Sequence, residues 1–330
     1  PPRSTLFPYT TLFRSWVDLA LGYESLGLMD RAKRAMRAAL NIAPFDRFVL
    51  RSAVRLFIHQ GDPEEAYRLL AKTAAISGDP WLIAAEVAVA PVIEKSPGLF
   101  KTGLRMVEKG AIGPLHLSEL SAALATVDFI SGNDKRGRKL IRTALTKPTE
   151  NAVAQASWAS RQFGGIDLSP FVLGFVPRSF EANALENFHK RQWDGALAAA
   201  SLWLRDQPFS SRPAIMGSFV ASTAMGDYAK GEAFARAGLI ANPHDALLLN
   251  NLAFALANAD KVDEADAVLA RIPMATVESR QKIVLVATHG LVAFRRGKIE
   301  EGREGYKAMI EALSKRGEKN LAVTASLYYA

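Results

Sequence analysis

The sequence repeats itself with a period near 34 residues. Trp16, Leu19, Ala20, Tyr23, Gly27, Ala32, Met36, Ala39 and Pro44 form one pass. Ala53, Val54, Phe57, Gly61, Ala66, Leu70 and Thr73 follow, each 34 residues beyond its counterpart. Leu249, Asn251, Leu252, Ala253, Leu256, Val262, Ala265 and Leu269 return to the same frame far down the chain. A fixed period of this size marks a stack of similar supersecondary units, none of which can bury its apolar face alone. The period constrains the fold before any local propensity is weighed. It also points to a class of function, because such stacks bind along a surface.

One unit reads as two helices. Leu19, Ala20 and Tyr23 stand at i, i+1 and i+4 and share a helical face. Ala32, Met36 and Ala39 do the same on a second helix. Alanines at 20 and 32 let two helix axes approach closely, and Trp16 and Tyr23 fill the wider gaps. Gly27 suits the left-handed end of the first helix. Asp30 stands where an N-cap of the second is expected, and Pro44 closes the unit.

This spacing resembles the tetratricopeptide repeat, whose unit carries Trp, Leu, Gly/Ala and Tyr on one helix, Ala, an aromatic or Leu, and Ala on the next, and Pro at the close. The resemblance implies an all-α fold, a right-handed alpha-alpha superhelix, in which first helices line a concave groove that takes a segment of another protein. It is strongest in four or five units and weakest around residues 81–110 and 150–178.

Followed along the chain, the frame predicts helix pairs over Arg47–Asp79 and, more degenerately, Trp81–Lys109, broken at Ser96-Pro97-Gly98. Ser118–Pro148 is a further pair, and Asn151–Phe163 a further helix. Gly164–Val176 loses the rhythm. The frame resumes over Phe180–Pro208, Pro213–Pro243, Ala246–Pro273 and Ile283–Leu313. The expected organisation is an N-terminal stack over residues 16–163, an irregular joint over 164–178 and a C-terminal stack over 179–330, about eight or nine units in all.

Residues Thr5–Ser15, TLFPYTTLFRS, do not fit the frame. They resemble the translation of a common sequencing-adapter oligonucleotide, and segments of foreign origin are set apart from fold reasoning. Residues 1–15 are therefore expected to be an irregular lead-in, with Trp16 the first residue in a repeat-like environment. A native N-terminus, with any domain fused there, is then expected to be missing.

Composition narrows the function. The 330 residues are 49% hydrophobic and contain no cysteine, which removes disulfide frameworks and thiolate metal sites. The longest apolar stretch, Trp81–Ile93, is interrupted by Glu86 and is too short to span a bilayer. A soluble, cytoplasmic, bacterial protein is expected, with no membrane partner. The five histidines, His59, His116, His189, His244 and His289, show no i, i+4 metal spacing. No phosphate-binding glycine loop and no nucleophile elbow is present. Non-enzymatic function with no catalytic residue, metal or cofactor is the expectation.

The net charge is +8. Basic clusters stand at Arg31–Arg34 and Lys135–Lys139, both at or near second helices. The pattern lacks the interleaved aromatic platform of a nucleic-acid surface, so a solvated basic face is the preferred reading and nucleic acid an unfavoured partner. The resemblance instead directs attention to first helices. Carried onto this frame, the groove presents Arg51, Arg55 and His59 early, and Met216, Val220, Asn250, Asn251, Phe254, Leu291 and Phe294 late. Asn251 matches a position where the family often uses Asn to bond a ligand's backbone. The family's Lys–Asn clamp for a C-terminal carboxylate is incomplete here. Packing between adjacent first helices is the competing reading of Phe254, Leu291 and Phe294. Three functions follow in order: a scaffold binding a protein segment, the docking or sensor region of a larger bacterial protein whose terminal domain carries the activity, and RNA binding along the basic outer face.

Overall fold

The computed structural model describes residues 9–71, 74–166, 168, 176–275, 277–317, 322–323 and 326. Among them the regular structure is entirely helical. The chain divides into two compact units, Pro1–Glu186 and Asn187–Ala330. The first contains α1 (Tyr9–Ser25), α2 (Met29–Ile42), α3 (Arg47–His59), α4 (Pro63–Ala71), α5 (Pro80–Val89), α6 (Phe100–Lys109), α7 (Pro114–Ile130), α8 (Asp134–Ala144) and α9 (Glu150–Phe163). The boundary falls within α10 (Phe180–His189). The second unit continues with α11 (Trp193–Asp206), α12 (Ser211–Phe219), α13 (Tyr228–Ala241), α14 (Ala246–Asn258), α15 (Val262–Leu269), α16 (Ser279–Arg295) and α17 (Ile299–Lys315).

Within each unit the helices pack as the repeat demands. In the first, α1 packs on α2, α3 on α4, α5 on α6 and α7 on α8; first helices α1, α3, α5, α7 and α9 also pack in succession. In the second, α12 pairs with α13, α14 with α15 and α16 with α17, with α12, α14 and α16 in succession. This is the all-α, alpha-alpha solenoid class. The frame alanines are its axle: Ala20, Ala32, Ala39, Ala53 and Ala66 are 0% exposed in the first unit, as are Ala235, Ala253 and Ala265 in the second.

One backbone device closes each pair. A residue with left-handed φ follows the first helix at Gly27, Gly61, Glu94, Gly132, Arg191, Gly226, Asp260 and Gly297. The next residue's N–H reaches back over the turn, as in Leu28 to Tyr23 O (2.9 Å), Asp62 to Phe57 O (2.8 Å) and Lys261 to Leu256 O (2.9 Å). This satisfies a carbonyl that the helix end leaves open. Asp46, Asp79 and Asp245 cap α3, α5 and α14 by accepting two backbone N–H groups each. Asp30 does not cap α2: the helix begins at Met29, so Asp30 lies in its first turn and favours the positive end of the helix dipole. At the degenerate pair, the buried carboxylate of Glu86 accepts from Gly98 N (2.8 Å) and Leu99 N (3.3 Å), which anchors the start of α6.

One expectation is corrected in detail, and another lies partly outside the described residues. Helix α1 begins at Tyr9, not at Trp16. Phe13 stands one turn ahead of Val17 and so falls on the buried face, 6% exposed, while Leu12 faces away at 44%. Leu6 and Phe7 lie outside the described residues, and the adapter likeness is a matter of sequence that this packing leaves untouched. In the expected joint, residues 164–166 and 176–179 are non-helical, with Gly164 and Gly165 both left-handed. Residues 167 and 169–175 of it lie outside the described residues.

Candidate binding surfaces

In the first unit the first helices carry a ladder of polar and aromatic side chains joined across the repeat. Arg47 Nε on α3 donates to Asp79 Oδ2 beside α5 (2.5 Å). One turn on, Arg51 lies 4.7 Å over the Trp81 ring of α5 and pairs with Glu119 Oε2 of α7 (2.5 Å). Trp81 Nε1 donates to His116 Nδ1 of α7 (3.3 Å). Asn151 Nδ2 of α9 donates to the other Glu119 oxygen (2.9 Å). Further along the same helices, Gln155 donates to Thr126 Oγ1. The bonded residues stand 29 to 35 positions apart, or 68 for Arg51 and Glu119, so the repeat period reappears as side-chain chemistry.

This ladder is only partly shielded. His116 and Asn151 are exposed, Arg51 and Trp81 half-buried. Of the expected early groove residues, Arg51 is its centre, and Arg55, one turn further along α3, is exposed. Its other members, Trp81, His116, Glu119 and Asn151, escaped the sequence reading. Their signal was position: each stands in the first two turns of a successive first helix.

The second unit treats its expected groove residues differently. Val220 is 0% exposed and lies in a π-turn, Val220–Ala224, that continues α12. Leu291 is 7% exposed and belongs to the core of that unit with Leu285 and Val292. Asn250 is 3% exposed, and its Nδ2 donates to Asn251 Oδ1 (3.3 Å). Asn251 is half-buried and its amide is spent within the unit, donating to Ser218 Oγ (2.9 Å) and Ile215 O (3.3 Å) of α12. Phe254 is half-buried against Tyr228, ring centroids 6.5 Å apart. Phe294 lies against Tyr306 (5.7 Å) and over Gly302, where a methyl group would meet its ring at 2.6 Å. Val220, Leu291 and Asn250 are therefore packing residues here, and Asn251 ties two first helices together.

The two basic clusters also differ. In α8, Arg136 makes a two-pronged pair with the buried Asp128 (2.6 and 2.6 Å), which raises the guanidinium's pKa. Arg138 pairs with Asp134 (3.3 Å) and donates to Phe163 O. In α2, by contrast, Arg31, Lys33, Arg34 and Arg37 enter none of the ion pairs among the described residues, and Arg31 lies 5.8 Å over the Tyr23 ring. Among the described residues no three His, Cys, Asp or Glu side chains cluster in a way that could hold a metal ion. Among the described residues no helix is long and apolar enough to cross a membrane.

No protein-family profile and no curated protein matches the chain. Among solved structures it is similar to a tetratricopeptide repeat protein from Parabacteroides merdae ATCC 43184, determined at 2.39 Å, with 12% identity over 95% of this chain and 98% of that one and a TM-score of 0.35.

Proposed function

We propose that the protein is a non-enzymatic interaction scaffold that holds a segment of another protein along its first helices, with the ladder of the first unit as the principal contact. The supporting observation is the Arg51–Trp81–His116–Glu119 cluster. It sets a guanidinium, an indole and an imidazole side by side on three successive helices, with at least the imidazole open to solvent. Aromatic and arginine side chains dominate the energy of protein interfaces. Arg55, Phe254 and Phe294 extend the candidate set at lower rank, because the two phenylalanines already serve internal packing.

The placement of such a unit within a larger bacterial protein is compatible with this role and changes its setting, not its chemistry. The RNA reading is weaker, since Arg136 and Arg138 of the second basic cluster are engaged by Asp128 and Asp134. A photo-crosslinking residue placed at His116 or Asn151 is expected to capture one discrete partner in cells. The same residue at Lys139, exposed on second helix α8, is expected to capture none. Equal capture from both faces refutes the reading.

A further inference from the structure

Two second helices in the middle of the first unit carry charge that nothing balances. On α6, Lys101, Arg105 and Lys109 stand at i, i+4 and i+8; on α8, Lys135, Lys139 and Arg142 stand at i, i+4 and i+7. Each set forms one row along its helix, about 10–12 Å long. All six residues are exposed. The other faces are apolar: Leu104 and Val107 of α6, and Leu140 and Ile141 of α8, pack into the core that both helices share with α7. The two helices are neighbours, because Arg136 in the first turn of α8 lies 5.7 Å over the Phe100 ring that opens α6. None of the six cations enters an ion pair among the described residues, and Arg105 donates to a backbone oxygen of its own helix, Lys101 O (3.4 Å). The acids of these helices are Glu108 and Asp134, and Arg138 already holds Asp134 (3.3 Å). The residues outside the described set include two acids, Asp167 and Glu318, too few to neutralise six cations.

The second unit treats its cations differently. Glu232 of α13 holds both Arg236 (2.8 Å) and Lys261 (3.0 Å), and Asp263 and Asp266 of α15 hold Arg296 (2.9 Å each). Charge on the α6–α8 face is therefore not a requirement of the repeat. We infer that this face docks on an anionic lipid surface, with its lysines and arginines against the headgroup phosphates and carboxylates. Charge complementarity carries the assignment, since four to eight cations on an amphipathic helical surface suffice to hold a protein at an anionic bilayer. A face of this kind lies on the bilayer and needs no spanning helix. No large apolar side chain of α6 or α8 is exposed among the described residues, so a protein partner would find no anchor of the sort that dominates interface energy. The one aromatic ring of these helices, Phe100, lies beneath Arg136, which leaves no stacking platform for single-stranded nucleic acid. Two rows side by side present a patch broad in both directions, matched to a planar array of charge. The inference does not rest on the first-helix ladder, and its expected ligand is a lipid, so it is consistent with Lys139 capturing no protein.

The test uses the full chain with vesicles of phosphatidylcholine alone and of phosphatidylcholine mixed with phosphatidylserine. Co-sedimentation is expected with the mixed vesicles only, and it should weaken as salt rises. Lys101→Glu with Lys139→Glu is expected to weaken it at least about tenfold while melting is unchanged. The same change of charge in the second unit, Lys298→Glu with Lys315→Glu, should leave it within about twofold. Should the first variant fold poorly, Arg105→Gln with Arg142→Gln, also confined to exposed positions, decides in its place. Equal losses from the reversals in the two units would mean that net charge alone draws the protein down, and would overturn the inference. So would equal binding to the two kinds of vesicle, or retention of the protein on duplex DNA, poly(U) or a glutamate-rich peptide without binding to the mixed vesicles.

Discussion

Glu24 shows what a single residue contributes when the repeat buries a charge. It is 1% exposed near the end of α1, and neither carboxyl oxygen has a hydrogen-bond partner. Burial pushes its pKa from 4.5 up to about 8, against the opposing pull of the Arg55 guanidinium. The group is therefore mostly a neutral acid at pH 7, which is how an unpaired buried carboxyl avoids the cost of a buried charge. The folded state holds a proton that the unfolded chain releases between pH 4.5 and about 8. Stability from this residue is therefore complete below pH 4.5 and falls as pH rises to about 8, by at most about 1.4 kcal/mol per pH unit. Glu24→Gln keeps the shape without the charge. It is expected to match the parent in urea midpoint at pH 4.5 and to exceed it clearly at pH 8.5. Parallel pH profiles for the two proteins would show that Glu24 is solvated.

At the scale of helices, the second unit is held by glycines that permit very close approach. A methyl at Gly238 of α13 would overlap the Cβ of Ala214 on α12 and come within 2.9 Å of Leu248. A methyl at Gly231 would overlap the Ser222 hydroxyl in the π-turn. The two clashes differ in kind, because a Cβ is fixed by its backbone and a hydroxyl can turn away. Gly238→Ala is expected to cost about 1–3 kcal/mol, read from urea unfolding, and to be relieved only by Ala214→Gly. Gly231→Ala is expected to be largely rescued by Ser222→Ala, a coupling that a double-mutant cycle measures. If neither pair couples, the helices stand further apart than described. These elements also mark the limit of what the sequence discloses. The alanine frame and the glycines at 27, 61, 226 and 297 were legible because period and turn chemistry are local. The π-turn was not: its wider turn shifts the helical phase, and Val220, read as groove-lining, lies in the core. Asn251 was read toward a ligand because its partner Ser218 stands 33 residues earlier on another helix. The Arg51 ladder stayed hidden for the same reason, since no single helix contains it.

For the whole molecule, the consequence of repetition is that stability is local. Most buried apolar residues of the first unit form one cluster reaching from Phe13 to Ala159, beside a small one of Ala122, Ala144 and Ala152, and a further cluster in the second unit reaches from Ala235 to Leu313. Each helix pair packs chiefly on its own partner and on the next pair, so stability behaves as a sum of unit terms and nearest-neighbour terms. A cavity opened in one pair should weaken its neighbours and fade beyond them. Ile141 of α8 is 1% exposed within the first cluster. Ile141→Ala is expected to cost about 2–5 kcal/mol locally. In native-state hydrogen exchange, amides of α7, α8 and α9 should lose protection by up to that amount, while those of α14 to α17 keep theirs. An equal loss in α14 to α17 would mean that the chain unfolds as one cooperative body, and the nearest-neighbour account would fail. A loss confined to α8 alone would fail it from the other side, because α8 would then be a frayed helix and not a member of the stack. The expected result lies between these two.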